Sequence, residues 1–209
     1  MKIIDCFMYF DEDMLLDIRL NTLDKFVSKF IICEAKYKHN GSEKKLNFDL
    51  SKFQKFKHKI NYIVLEDQPR SLHSIKENDN AETKKNKIID NGQIRETYQR
   101  NFSLNEIKKF PEEDLIIIND LDEIPDLTNF NYRRKITIFK QKMFYYKLNL
   151  YYENFIWFGS KAVKKRYFYS PQWLRNIKNK KYPFWRIDNY FSKKKYNNIK
   201  FIENGGWHF

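Results

Sequence analysis

Several polar side chains follow a buried strand at one point of this chain, and three of them are carboxylates. The strand runs from Leu115 to Ile118, four consecutive apolar residues, and Pro125 ends regular structure shortly afterwards. The polar residues are Asn119, Asp120, Asp122 and Glu123. Carboxylates just past the C-terminal end of a buried strand lie where open α/β sheets bind ligands.

The spacing of Asp120 and Asp122 indicates what these carboxylates could bind. With one residue between them, both side chains can face one cleft and share a hard divalent cation, which could in turn hold a diphosphate. The alternative is an ordinary polar turn, since Asp and Asn are common turn formers. Three acids so close together repel one another unless a cation relieves the repulsion, and this favours a metal site.

Other segments of the chain accompany this acidic one, in order from the first residues to the last. They are Asp5-Cys-Phe-Met-Tyr9, the Glu12-to-Leu23 stretch with Ile18-Arg19-Leu20, Ile94-Arg-Glu-Thr-Tyr-Gln-Arg-Asn101, Asp120-Leu-Asp-Glu-Ile-Pro125, Phe144-Tyr-Tyr-Lys-Leu-Asn149 and Gly205-Gly-Trp-His208. Together they resemble glycosyltransferase family 17, whose best-known members are β-1,4-mannosyl-glycoprotein 4-β-N-acetylglucosaminyltransferases. Sequences of that family continue past the Trp-His segment, whereas this chain ends at Phe209, so we expect a fragment or a shortened member.

The resemblance implies a fold, a reaction and roles for particular residues. The fold would be α/β, of the glycosyltransferase A type, with a Rossmann-like and mostly parallel central sheet. The reaction would be an inverting transfer of N-acetylglucosamine from UDP-GlcNAc to a glycan acceptor, with Mn²⁺ or Mg²⁺ neutralising the diphosphate. Asp122 would be a direct metal ligand, Asp120 would contact ribose, sugar or metal-bound water, and His208 would be a further ligand, which favours Mn²⁺.

Further candidates are less specific. Arg95 and Arg100 lie on the predicted helix before the acidic strand and could hold phosphate or base, although a solvated charged face is the usual arrangement for such residues. Glu34 ends the second predicted strand at the ligand-binding edge and is a candidate for nucleoside contact. An inverting transfer also needs a base. Asp122, Glu123 and Glu203 are the catalytic candidates. Glu153 and Asp188 in the second half, and Asp126 near the acidic loop, are alternatives for the base, and no motif decides among them.

The charge of the chain is unevenly distributed. The net charge is +13, yet residues 1–130 carry −3 and residues 131–209 carry +16 together with all four Trp. This predicts an anionic partner for the second half: a phosphate-bearing or lipid-linked glycan acceptor, or a membrane surface. The abundance of Lys, Asn and Ile over Ala and Val offers an alternative, since an AT-rich genome raises Lys content without any partner.

The order of predicted elements is typical of one α/β domain. We expect a strand at Lys2 to Phe7 and a helix from Asp11, its N-cap, to Phe26. Strands follow at Phe30 to Cys33 and Ile60 to Leu65. The segment Asp67 to Asn91 is predicted to be a long polar loop or lid, and Gly92 to Phe110 a helix. After Pro125, strand-rich segments are expected at Gln141 to Tyr152, Phe155 to Lys161 and Lys200 to Trp207.

We therefore expect a single domain over residues 1–209, with a nucleotide-sugar-binding half at 1–130 and a basic, aromatic acceptor-side half at 131–209. Cys6 and Cys33 fall in predicted core strands and are expected to be buried free thiols. There is no apolar run of membrane-spanning length and no signal-peptide segment before the first strand. We expect a cytoplasmic protein, with peripheral contact at the inner membrane face following from the basic half.

Two other classes of function compete with glycosyl transfer. A metal-dependent phosphodiesterase or nuclease would use the acidic cluster for two cations and the basic half for nucleic acid. Such sites usually recruit more His and Asp from several strands, and the chain has four His. A non-catalytic module binding nucleic acid or an anionic membrane would leave the carboxylate cluster unexplained. Nucleic acid is therefore the less favoured partner.

Overall fold

The structure, a computed structural model, describes residues 1–146, 148–183, 185 and 187–209, with only the backbone described at Tyr190. Its strands are β1 Ile3–Tyr9, β2 Lys29–Ala35, β3 Ile60–Leu65, β4 Leu115–Ile118, β5 Glu123–Pro125, β6 Ile136–Phe144, β7 Tyr151–Lys164, β8 Ile199–Ile202 and β9 Gly206–His208. Its helices are α1 Asp13–Leu23, α2 Ala81–Phe102, α3 Leu104–Ile107, α4 Pro171–Asn176 and α5 Asp188–Phe191. Short 3-10 turns lie at Leu50–Phe56 and Lys165–Tyr167.

The described strands form one mixed sheet in the order β3-β2-β1-β4-β7-β6-β9-β5, with β8 paired to β6. Five strand pairings are parallel and three are antiparallel. The α/β class is confirmed, and most strand pairings are parallel as expected, although the sheet is mixed. Antiparallel strands enter after β4 because β6 and β7 form a hairpin, which needs no crossover helix.

The first four strands in space, β3-β2-β1-β4, are all parallel and explain where a ligand can bind. The chain leaves β1 toward β2 on one side, and β4 is added later on the other side. In open α/β sheets the carboxyl ends of the two strands at such a reversal border a crevice. The residues after Tyr9 and after Ile118 therefore meet at one edge.

Both faces of the sheet are covered by apolar side chains. On one face Leu16, Leu20 and Leu23 of α1 pack with Phe7 and Phe30 in a fully buried cluster. On the other face the α4 residues Trp173 and Leu174 pack with Ile107 of α3 and with β1 and β4. Because β4 is buried on both faces, its sequence reads as a continuous apolar run rather than an alternating one.

Two expectations about helices need correction. The helix α1 begins at Asp13, and Asp11 is not its N-cap, because Glu12 precedes the helix and its carboxylate accepts the backbone N–H groups of Phe10 and Asp11. The expected loop Asp67 to Asn91 is wrong in its second half. Helix α2 already begins at Ala81, since the Asn80 side chain accepts the N–H of Thr83 and caps it.

The expected helix Gly92 to Phe110 is likewise interrupted, since α2 ends at Phe102 and α3 follows after Ser103. The strand-rich segment Gln141 to Tyr152 contains the turn of the β6–β7 hairpin, and Lys147 within it lies outside the described residues. Cys6 and Cys33 are buried free thiols, as expected, and burial raises the pKa of both. Among the described residues no helix is long and apolar enough to cross a membrane.

A fully buried ion pair joins the first strand to the acidic loop after β4. Asp5 on β1 accepts both Arg19 Nε and Arg19 Nη2, at 2.8 and 2.7 Å, and both side chains have 0% exposure. The remaining nitrogen, Nη1, donates to the carbonyl oxygens of Leu121 and Glu123 at 3.1 and 2.8 Å. Asn119 also donates to Asp5. Arg19 thereby fixes the backbone of the loop from α1, on which it resides.

This pair predicts a large effect on stability. Replacing Arg19 with Met leaves Asp5 buried without its cation, which should lower the free energy of unfolding by about 3–5 kcal/mol in urea denaturation. The matched control is Lys36→Met, which breaks the surface pair with Glu66 and should cost about 0–1 kcal/mol. Equal losses for the two variants would show that the buried pair does not hold the fold.

Candidate functional site

A cleft of about 520 Å³ opens at the carboxyl ends of β1 and β4. Its walls come from the residues after β1, from the segment after β2, from α2 and from the acidic loop. The side chains that line it include Tyr9, Phe10, Tyr37, Lys44, Asp120 and Asp122. Aromatic rings, a lysine and two carboxylates thus share one concave surface, as is usual for a small-molecule site.

Asp120 is held between two arginines. Its Oδ1 accepts Arg100 Nη2 of α2 at 3.0 Å, and its Oδ2 accepts Arg175 Nη2 of α4 at 2.7 Å. Burial alone would raise the pKa of Asp120, but the charges of Arg175 and Arg100 outweigh it, and the pKa is lowered. Asp120 is therefore ionised and already neutralised by protein cations.

Glu123 is also fully engaged, behind the cleft rather than in its wall. Arg175 Nη1 and Nη2 donate to the two oxygens of Glu123 at 2.5 and 3.0 Å, forming a bidentate pair. Trp157 Nε1 and the backbone N–H of Asp120 donate to the same carboxylate at 2.6 and 2.9 Å. The side chain has 0% exposure, and Gly159 makes room for it, since a Cβ there would lie 2.7 Å from Glu123 Cδ.

Asp122 differs from its neighbours because no arginine pairs with it in the described structure. The side chain beside it is His208, whose Nε2 lies 3.7 Å from Asp122 Oδ2 and which is a cation only when protonated. Asp122 Oδ1 and His208 Nδ1 are both buried without a hydrogen-bond partner among the described residues. Burial, followed by the charges of Glu123 and Asp120, raises the pKa of Asp122 to about 7, while burial lowers the pKa of His208.

The C-terminal strand β9 brings His208 to this position. It runs antiparallel to β5, with His208 opposite Glu123 and Gly206 opposite Pro125, and Phe209 N donates to the carbonyl of Asp122 at 3.2 Å. Gly206 has φ +120°, and a Cβ there would lie 2.1 Å from the Ile124 carbonyl oxygen. The backbone of β9 therefore approaches β5 so closely at this position that it requires glycine. The Trp157 ring packs on His208 with centroids 4.4 Å apart.

The other candidate residues from the sequence have different partners in the structure. Arg100 joins the cluster through Asp120, whereas Arg95 donates to Gln68 and to the carbonyl of His39 beside the cleft. Glu34 is fully buried and ties down the following segment by accepting Lys44, the N–H groups of Asn47 and Phe48, and Tyr62 Oη. Glu203 is exposed in the turn before β9 and pairs with Lys140.

The sequence reasoning missed Arg175 and did not single out Trp157 for the site. Both come from the second half of the chain, and their contacts with Glu123 span 52 and 34 positions. The indirect signal was the acidic cluster itself, since three neighbouring carboxylates require cations from somewhere. Nothing in the local pattern around Arg175 distinguished it from the other 18 Lys and Arg of residues 131–209.

Chemically, the arrangement leaves Asp122 and His208 as the groups available to a divalent cation at the cleft. Within the described residues no group of three or more His, Cys, Asp or Glu converges as a ready-made metal site. A cation here would therefore take its remaining ligands from water and from a bound substrate, as Mg²⁺ and Mn²⁺ do with phosphate oxygens.

The raised pKa of Asp122 predicts a stability effect in the ligand-free protein. In EDTA at pH 8, Asp122→Asn should have a higher Tm than the wild type, because it no longer buries an unneutralised charge. The carboxyl of Asp122 has a pKa of about 7 in the folded state and an ordinary value of 3.8. As the pH falls, the folded protein therefore binds this proton at a higher pH than the unfolded chain does. The wild type is therefore stabilised as the pH falls from 8 to 5, and the difference between the two proteins should shrink.

The measurement is the melting temperature of both proteins at pH 8, 7, 6 and 5 by circular dichroism. Asp17→Asn, a change on the exposed side of α1, serves as the control for the loss of one carboxylate. A constant difference between wild type and Asp122→Asn across the range would mean that Asp122 carries no unneutralised charge.

Comparison with known proteins identifies the family of this chain. The family model described as Glycosyltransferase family 17 matches residues 1–208, which is nearly the whole chain. A comparison with curated proteins finds no match. The match includes the acidic loop after β4, the arginines of α2 and α4, and the strand that returns His208 to that loop. The chain belongs to glycosyltransferase family 17.

Proposed function

We propose that this glycosyltransferase binds a nucleotide sugar, UDP-GlcNAc by the family resemblance, in the cleft beside Asp122 and transfers the sugar with inversion to a glycan hydroxyl. The observation that carries the proposal is the buried Oδ1 of Asp122, which has no hydrogen-bond partner among the described residues. The other carboxylate oxygen, Oδ2, lies 3.7 Å from His208 Nε2. A site that binds diphosphate needs positive charge, and this pair can hold a divalent cation that would supply it.

The residues that would hold the cation are Asp122 and His208, and a histidine ligand favours Mn²⁺ over Mg²⁺. When bound, the ion would neutralise negative charge on the departing diphosphate. Lys44 lines the same cleft, and its Nζ lies 5.0 Å from the centroid of the Phe10 ring. Phe10, which is 38% exposed, offers ring surface for the nucleoside base, whereas the charge of Lys44 is already paired with the buried Glu34.

The parallel order β3-β2-β1-β4, with the cleft at its reversal, supports the glycosyltransferase A type for the nucleotide-binding half. The acceptor would approach from the β6–β7 side. A series of ring contacts leads outward from His208 through Trp157 and Phe155 to Tyr152, with centroid distances of 4.4, 6.2 and 6.1 Å. Phe155 and Tyr152 are exposed, and their flat faces suit the packing of sugar rings.

The arginine contacts also support different roles for the acids of this loop. Asp120 is kept ionised near the cleft, and Arg175 holds Glu123 out of solvent, which fits Glu123 as a positioning residue for Arg175 and Trp157. Asp122, Glu123 and Glu203 stay predictions as catalytic groups. A two-cation phosphodiesterase is less well supported, because the described residues supply no group of three or more ligands for even one of its cations.

The direct test is calorimetry of UDP binding in the presence of MnCl₂. The wild type should bind UDP with Mn²⁺ and lose most of this affinity in EDTA. Asp122→Asn keeps the size of the side chain but removes its charge, so it should weaken Mn²⁺-dependent binding by about 3 kcal/mol, roughly 100-fold. Asp17→Asn is the matched control and should bind as the wild type does.

Transfer and hydrolysis assays with UDP-GlcNAc, other UDP-sugars and GDP-sugars identify the donor, and NMR of the product anomer tests inversion. Cleavage of an oligonucleotide with Mn²⁺, in place of sugar-nucleotide turnover, would instead favour the phosphodiesterase. Unchanged UDP affinity in Asp122→Asn at the same Mn²⁺ concentration would remove Asp122 from the site.

A further inference from the structure

The segment between α4 and β8, residues 178–196, forms a loop whose described ends are hydrogen-bonded to each other and, at Lys193, to α4. Lys178 N donates to the carbonyl of Lys194 at 2.9 Å, and Tyr182 N donates to the carbonyl of Tyr196 at 3.4 Å. Trp173, a buried residue of α4, donates from its Nε1 to the carbonyl of Lys193 at 2.8 Å. Hydrogen bonds thus close the base of this segment, which we refer to as the 178–196 loop.

The outer part of the 178–196 loop exposes large apolar side chains. Trp185, Ile187 and Phe191 are 69, 73 and 85% exposed, the last of them on the short helix α5. Asn189 is buried at 9%, and its Nδ2 donates to the carbonyl of Pro183 at 2.7 Å, which ties α5 back to the loop. The apolar side chains thus stand outward on a segment whose backbone is internally bonded.

Lysines flank these apolar side chains on both sides along the chain. The flanking residues are Lys178, Lys180, Lys181, Lys193, Lys194 and Lys195. All except Lys195 are exposed, and Lys195 pairs with Asp188, the one acidic residue in the sequence of the loop. The 178–196 loop therefore has exposed lysines near both of its ends and exposed apolar side chains between them. It contributes much of the positive charge of residues 131–209.

This combination selects one kind of partner. Lysines near an anionic bilayer contribute about 1 kcal/mol each, and apolar side chains add affinity when they enter the headgroup region, where Trp is favoured. A second copy of the loop would be repelled by its own charge. Nucleic acid would be attracted by the lysines and could stack on Trp185 and Phe191, but the exposed aliphatic Ile187 between them favours a lipid surface. We propose that the 178–196 loop docks the enzyme on an anionic lipid bilayer.

The test is co-sedimentation of the full chain with vesicles of phosphatidylcholine alone or with about a third phosphatidylserine, at low and physiological salt. The wild type should bind the anionic vesicles only, and more weakly at higher salt. The triple variant Lys178→Gln, Lys180→Gln and Lys181→Gln should bind roughly 100-fold more weakly, following from the contribution of each lysine. The variant Ile187→Ser with Phe191→Ser should also lose binding, although its charge is unchanged.

Matched controls separate this loop from the overall positive charge. Lys57→Gln, Lys85→Gln and Lys108→Gln remove three exposed lysines elsewhere, and Ile88→Ser with Ile89→Ser removes two exposed apolar side chains of α2. Both controls should bind vesicles as the wild type does, and all variants should share its melting temperature.

Three results would overturn the proposal. The first is no binding to anionic vesicles by the wild type. The second is an equal loss in the loop variants and in the matched controls, which would mean that binding follows total charge alone. The third is tight, salt-sensitive binding of an oligonucleotide that depends on the same lysines, with no vesicle binding, which would identify nucleic acid as the partner.

Discussion

The buried pair of Asp5 and Arg19 connects the parts of the molecule on which the candidate site depends. Desolvating both charges is costly, and the cost is offset only because the bidentate geometry and the loop carbonyls satisfy every nitrogen of the guanidinium. One side chain thus joins β1, α1 and the loop after β4. Since the loop backbone is fixed from inside the core, its carboxylates are held in set directions before any ligand binds.

Two further arginines then divide the acids of that loop. Arg175 is shared between Asp120 and Glu123, and burial would lower its pKa, but the charges of Glu123 and Asp120 raise it. Arg100 completes the neutralisation of Asp120. Asp122 has no such arginine pair in the described structure, and His208 Nε2 lies 3.7 Å from its carboxylate. Asp122 is consequently the carboxylate of this loop that faces the cleft without an arginine partner among the described residues.

Local patterns in the sequence were sufficient to predict the buried strand β4, the acidic residues after it and the α/β class, since each depends on residues close together in the chain. The placement of His208 beside those acids followed from the family resemblance and not from any local pattern. Arg175 and the mixed second half of the sheet could not be predicted in the same way, since both depend on contacts across many residues. The helix from Ala81 was missed because its exposed face is polar and its cap is a single Asn80.

The central claim is that arginines neutralise Asp120 while Asp122 keeps an unneutralised charge. Side-chain carboxyl ¹³C NMR of the metal-free protein between pH 3 and 9 measures this directly. The structure predicts that Asp122 titrates near pH 7 and that Asp120 titrates below its ordinary value of 3.8. Arg175→Gln should raise the pKa of Asp120. Titration of both carboxyls near pH 4, unaffected by Arg175→Gln, would contradict the claim.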